Sequence, residues 1–296
     1  MRTVLDADLS ARTTLGLGGT CAAEIVLEDR SELDQIPDLV RRWGLPVFVL
    51  GAGSNILALD GRHEVLILRP GFRGDPQIVA EDDRDVYVQV EAATPLPRLL
   101  AFCRREELTG LEGLAGIPGS LGGAIAMNAG SFGVCMADCL HSVDLWSEGR
   151  LERVQAGDCA FGYRHFQPRL SMAGDFFLVV GARLRLRRGE GVARRIAETL
   201  AQKKARQPVS ARSAGCIFKN PLQGPSAGIL LDQAGFRGRT LGGVAFSGLH
   251  ANFLVNTGNG TATEACSLVR AARDAVQERT GVLLSMEVKA LPCPFL

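Results

Sequence analysis

Residues 116–130 read GIPGSLGGAIAMNAG, and residues 47–57 read VFVLGAGSNIL. Whether these glycine clusters are ligand loops or pieces of a membrane helix decides the fold. The wider run 113–137 carries no charge and is long enough to span a bilayer. It also holds seven glycines, Pro118, Asn128 and two serines. A lipid-facing helix of that make-up would be poor in apolar surface, so we expect a tightly folded buried loop and no membrane insertion. In the other stretch a strand runs into Gly51-Ala52-Gly53, followed by Ser54 and Asn55. Glycine takes positive φ without penalty, and successive N–H groups in such turns close on an anion. Gly119, Ser120, Gly122 and Gly123 offer the same kind of backbone. Two uncharged loops of this type suit the two phosphates of one dinucleotide without arginine. The Rossmann fingerprint fails, because its sixth position is Ile56. No Gly-Lys pair occurs, which excludes a P-loop.

The chain has 296 residues, a length for about two domains. Apolar residues make up 46% and charged residues 22%, a globular composition. Lys and Arg total 33 against 32 Asp and Glu, so no electrostatic footprint for nucleic acid exists. Small acidic ligands need local charge only. Eight cysteines follow no repeating spacing, and the opening MRTVLDADLS lacks an apolar signal core. Reduced thiols and a cytoplasmic location are expected. Cys135, Cys139 and His141 lie close in sequence, but a zinc site would want a second ligand pair at matching spacing. No obligate protein partner is indicated.

The pattern along the chain is mixed. EIVLE (24–28), PVFVL (46–50) and EVLIL (64–68) predict strands. SELDQIPDLVRRWG (31–44) predicts a helix capped by Ser31 and ended by Gly44. A small α/β unit over 1–70 follows. Residues 77–92 and 141–154 predict hairpins, the second with Glu148-Gly149 at its tip. Thr94-Pro95 should cap a helix running towards Glu107. FFLVVGARLRLR (176–187) predicts a strand broken at Gly181, and 191–205 a linker helix. A last helix should run from Thr263 to Arg279, with Gly281 past its end. The layout is α+β, with a boundary near 190. GPSAG (224–228) matches the nucleophile elbow of serine hydrolases, with His250 downstream. The elbow needs a strand directly before it, and FKNPLQ is a poor one.

Together these motifs form an ordered set. RTTLGLGG (12–19), VLGAGSNIL (49–57), GLEGLAGIPGSLGGAIAMNAGSFG (110–133), YR (163–164), SAGCIFKNP (213–221), AGILLDQAGFRG (227–238), HANFLVN (250–256) and MEV (286–288) span nearly the whole chain. The chain resembles the UDP-N-acetylenolpyruvoylglucosamine reductase family, in its shorter subclass without a long insertion after Tyr-Arg. The resemblance implies an FAD-binding domain of the vanillyl-alcohol-oxidase type over 1–190, in subdomains 1–70 and 71–190. A substrate-binding α+β domain would follow over 191–296, with the substrate between the two. It implies that NADPH reduces FAD and that hydride then passes to C3 of UDP-N-acetylglucosamine-enolpyruvate, giving UDP-N-acetylmuramate for peptidoglycan.

Hydride arrival at C3 leaves an enolate, which needs a proton at C2. The family usually has serine where this chain has Cys216, and an ordinary thiol, with a pKa of roughly 8.5, can also donate at neutral pH. Arg164 matches the family's catalytic arginine, able to grip a carboxylate with two bonds. Glu287 matches its glutamate, which in protonated form donates to the developing oxygen. The family usually follows Tyr-Arg with a nearby serine; here His165 and Phe166 follow, which puts the local hydrogen bonding in question. The resemblance further assigns Gly51, Ala52, Gly53, Ser54, Asn55, Gly119, Ser120, Gly123 and Asn128 to the cofactor. Tyr163, Arg206, Lys219, Asn220 and His250 fall to the substrate. Arg206, with Lys203 and Lys204, could equally serve the C-terminus of its helix.

Overall fold

The computed structural model describes residues 1–72, 74–170 and 176–292; Cys293 lies outside them. The chain divides into two compact units. The first takes Met1–Val4, Ala23–Ala52 and Leu66–Gln202; the second takes Leu5–Ala22, Gly53–Val65 and the chain from Lys203 onward.

Strands Arg2–Asp8, Thr20–Leu27, Arg62–Pro70 and Val47–Val49 form one sheet, in that order. The expected helix over 31–44 forms in two pieces, a tight 3-10 stretch Arg30–Gln35 and then Ile36–Trp43. Its cap is Asp29 rather than Ser31. The Asp29 carboxylate accepts from Ser31 N at 2.8 Å, and Glu32 reaches back to Asp29 N. A carboxylate two residues earlier wins because it completes a reciprocal capping box. Gly44 ends the helix at φ +61°, as its position predicts.

A larger sheet fills the first unit. Its order is Arg150–Gln155, Leu140–Ser147, Leu178–Arg188, Val86–Glu91, Gln77–Glu81, with Leu108–Thr109 against the end of the central strand. These pairings are antiparallel, and both expected hairpins are present. The central strand changes faces at Gly181. The register shifts opposite Asp144 and Leu145. Before the shift Leu178 and Val180 pack with Trp146, Ile25 and Leu68; after it Ala182, Leu184 and Leu186 pack with Val88, Leu99 and Ile125. One extra residue reverses which side chains point to which core, so a single strand serves two cores.

The helix after the first hairpin spans Leu96–Arg105, with Pro95 rather than Thr94 at its cap. Pro95 is already extended, and Leu96 N donates to Gly119 O. The Thr94 hydroxyl is left buried with no hydrogen-bond partner among the described residues.

The second unit holds the antiparallel sheet Arg212–Cys216, Phe253–Asn256, Val244–Phe246, Thr240–Leu241. Helices Ala227–Gln233 and Ala262–Thr280 pack on it around Phe218, Phe236, Phe246, Leu254, Val269 and Val276. The long helix starts one residue before the expected Thr263. Thr261 caps it with Glu264 in a capping box, and the Asp60 carboxylate takes the N–H groups of Ala262 and Thr263. Lys289–Leu291 pairs in parallel with Ile56–Ala58. No described helix is long and apolar enough to cross a membrane.

Candidate functional site

The two glycine clusters meet inside the first unit. A Cβ on Gly51 would sit 3.0 Å from Ser120 Oγ and 3.9 Å from the Gly123 backbone. The second loop is hung from the end of the Val86–Glu91 strand: Leu121 N donates to Thr94 O and Gly122 N to Ala92 O. Gly119 lies at φ +139°, a conformation L side chains rarely adopt. The result is a close approach of the two loops at Gly51, with Ser120 Oγ beside it and no lysine or arginine in either loop. Loops of this kind, without cationic side chains, would read a diphosphate through backbone donors other than Leu121 N and Gly122 N, which are already engaged. Gly53 (φ +67°) belongs to the second unit, where a Cβ would fall 2.0 Å from Arg12 O. Asn55 Nδ2 donates to Glu287 O at 3.1 Å, and Lys289 N donates to Asn55 O at 3.0 Å.

Tyr163 and Arg164 form the two-residue tip of the hairpin Cys159–Gly162 and His165–Pro168. Arg164 sits at φ +55°. Its guanidinium lies 4.9 Å from the Tyr163 ring centroid, and Nη2 donates to Gly130 O at 3.3 Å. Asn128 is buried, with its amide engaged at both ends: Nδ2 donates to Gly162 O and Oδ1 accepts from Ala137 N, each at 3.0 Å.

In the second unit the structure brings Cys216 and Glu287 onto neighbouring backbone. Cys216 ends its strand opposite Phe253, after a register shift that contains Gly215 at φ +82°. Its thiol-bearing residue is half-buried. Ile217 O accepts from Glu287 N at 2.8 Å, Lys219 N donates to Ser285 O at 2.8 Å, and Phe218 bridges to Met286. Asn252 locks this ladder. Its Nδ2 donates to Phe218 O at 2.8 Å, its Oδ1 accepts from Phe218 N at 3.0 Å, and its O accepts from Ile217 N at 2.9 Å. Sequence reasoning had Asn252 only as the last letter of HAN, since a clamp 34 residues away leaves no local signal.

His250 stands beside this clamp. Its Nδ1 accepts from Asn252 N at 3.2 Å, which puts the neutral ring's proton on Nε2. Burial, then the Arg237 charge, hold its pKa below the usual histidine range. Asn220 is exposed at the surface, where its Oδ1 accepts from Ala227 N at 3.0 Å. Ser226 caps the same helix, accepting from Ile229 N at 3.4 Å. The GPSAG serine is therefore a helix cap preceded by irregular chain, not a strand-to-helix nucleophile. Arg206 is exposed at the end of helix Val192–Arg206. Lys203, three residues earlier, is only 2% exposed, and burial pushes its amine down to about 8. Its solvation is a tertiary property that the basic cluster in the sequence does not betray. Cys139, of the cysteine pair, donates to Gly110 O at 3.1 Å and is pushed up to about 12, by burial first and then by nearby acidic groups.

Two family models match the chain: an FAD binding domain over residues 21–154 and the C-terminal domain of UDP-N-acetylenolpyruvoylglucosamine reductase over 207–291. A UDP-N-acetylenolpyruvoylglucosamine reductase of Nitratidesulfovibrio vulgaris is 48% identical over 96% of both chains. One from Oleidesulfovibrio alaskensis shows the same identity and coverage. The crystal structure of UDP-N-acetylenolpyruvylglucosamine reductase from Thermus caldophilus superposes with a TM-score of 0.81, at 36% identity over 98% of both chains.

Proposed function

The chain belongs to the UDP-N-acetylenolpyruvoylglucosamine reductase family and is an FAD-dependent oxidoreductase, and on that premise we propose that it reduces UDP-N-acetylglucosamine-enolpyruvate to UDP-N-acetylmuramate with electrons from NADPH. Gly51, Ala52, Gly53, Ser54 and Asn55, with Gly119, Ser120 and Gly123, hold the cofactor. When bound, FAD supplies the hydride chemistry between NADPH and C3 of the enolpyruvyl ether. The FAD role falls to 1–190 and the sugar-nucleotide role to 191–296, with Arg206, Lys219, Asn220 and His250 of that range, and Tyr163 from 1–190, on the substrate side.

The chain's own residues handle charge and proton. As hydride adds at C3, the electron pair of the C2–C3 double bond moves onto C2 and into the carboxylate. Arg164 neutralises that carboxylate with its guanidinium fork. Glu287 shares in stabilising the same developing charge, a role in which only its protonated form donates a hydrogen bond. Cys216 Sγ–H gives its proton to C2, and the thiolate recovers a proton from solvent. The observation that supports this reading most is the shared anchor at Ile217. Its carbonyl takes the Glu287 N–H, and it is the next residue after Cys216. Donor and carboxyl are thus fixed to adjacent backbone by one hydrogen bond.

Anaerobic stopped-flow absorbance tests it. NADPH should bleach the flavin, and the enolpyruvyl sugar nucleotide should restore the colour. Cys216→Ala should leave the bleaching rate intact and slow reoxidation by about 10²–10⁴. Cys216→Ser should recover much of that loss. Equal damage to both half-reactions would refute the proton-donor role.

A further inference from the structure

We propose that Asn128 is the positioning residue for Arg164, gripping the root of the turn that carries the arginine, rather than a cofactor ligand. This rests on the reading of Arg164 as the carboxylate-binding arginine.

The short helix Leu121–Ala126 stops in a double hydrogen-bonded αL motif. Asn128 N donates to Ile125 O at 2.9 Å, Ala129 N donates to Ala124 O at 2.7 Å, and Asn128 lies at φ +39°. Glycine is the usual residue there, and asparagine the next best tolerated. The helix stop therefore does not need the side chain. Yet the side chain is buried, 8% exposed, and both its ends are in use. Gly162 O demands a donor and Ala137 N–H demands an acceptor, so the amide orientation is fixed and no carboxylate or apolar group can serve both.

Gly162 is the residue that pairs with His165 to close the Tyr163–Arg164 tip. Two residues beyond Asn128, Gly130 O accepts from the arginine's Nη2. One segment thus holds the arginine at two points: the backbone root through Asn128 and the guanidinium through Gly130. An arginine at φ +55° on a hairpin tip needs such a hold, because nothing in its own conformational preference keeps it there.

Asn128→Gly is the discriminating variant, since glycine preserves the αL stop and deletes only the amide. FAD content and the rate of flavin reduction by NADPH should stay within about twofold, while reoxidation by the enolpyruvyl sugar nucleotide falls about tenfold or more. Hydrogen exchange of the Ala137 amide should accelerate in the same variant, whether or not cofactor is bound. In an Arg164→Ala background the Asn128→Gly change should add nothing to the loss in reoxidation. Asn128→Asp, which keeps the acceptor for Ala137 and loses the donor to Gly162, should keep Ala137 protected and still slow reoxidation. Loss of FAD, an equal fall in both half-reactions, full additivity with Arg164→Ala, or normal turnover of Asn128→Asp would each overturn the proposal. Normal reoxidation in Arg164→Ala alone is a separate failure, that of the arginine's assigned role.

Discussion

Among the described residues the first unit has three hairpins with two-residue tips, at Phe132-Gly133, Glu148-Gly149 and Tyr163-Arg164, and the last two obey different rules. At Glu148-Gly149 both residues have positive φ, +47° and +74°, the type I′ geometry that matches strand twist, and glycine takes the second position. At Tyr163-Arg164 only the second residue is positive, at +55°, and that residue is an arginine. A type II tip wants glycine there. The first turn is chosen for the strands it joins. Each carries one non-glycine residue at positive φ, at a cost on the order of 1–2 kcal/mol, but the second does so where glycine is wanted and is tied down from outside by Asn128 and Gly130. A local rule broken at a braced position marks a site better than any residue type does.

Arg164→Gly breaks the contrast most sharply. It should relieve the backbone, so that the melting temperature holds or rises. Reoxidation by the enolpyruvyl sugar nucleotide should fall by about 10²–10³, the usual cost of losing one charge-stabilising donor. Stability and activity would move in opposite directions at one residue. A variant that melts earlier and turns over normally would show that the arginine is there for the fold.

A second contrast lies between the histidines of the two units. Burial comes first in lowering both: His250 is further depressed by Arg237, and His141 by Arg183, Arg185 and Arg153. With the folded pKa below the ordinary value near 6.5, the unfolded chain binds the proton first as pH falls. Stability is therefore unaffected above about pH 7 and declines as pH drops through the range just below 6.5. Protonation at Nδ1 would also cost His250 its bond from Asn252 N. His250→Asn should flatten the loss of melting temperature between about pH 7.5 and 5.5 more than His141→Asn does. Thermal scans across that range decide it, and equal slopes in both variants would remove His250 from the acid response.

What the sequence made legible was the part encoded locally. Both glycine loops, the two hairpins, the αL stop at Gly44 and the break at Gly181 follow from residue types with few conformational options. The break's consequence was hidden: that Leu178 and Val180 serve one core while Leu184 and Leu186 serve another depends on what covers each face. Ser31 lost its cap to Asp29 because Asp29, three residues before Glu32, completes a capping box with that glutamate. Thr94 lost its cap because Gly119 O claimed the helix's first N–H. Cys216, Arg164 and Glu287 were found by resemblance, since each alone is an ordinary thiol or charge. Asn252 and the side-chain task of Asn128 were out of reach, because their partners lie 34 residues away along the chain.

The smallest effect belongs to the hairpin tip that already follows the rules. Glu148 has φ +47° with no bracing hydrogen bond from a distant segment among those of the described residues, so its side chain contributes little to holding the turn. Asparagine tolerates that conformation better, and Asn-Gly is the preferred type I′ pair. Glu148→Asn should therefore raise stability by about 0.5 kcal/mol, read as a small upward shift in melting temperature. FAD content and both half-reactions should be unchanged. A comparable gain in stability with a loss of reoxidation would mean that strain at the two tips is coupled although they belong to separate sheets. The contrast between a tip chosen for folding and one held for chemistry would then fail at its simpler end.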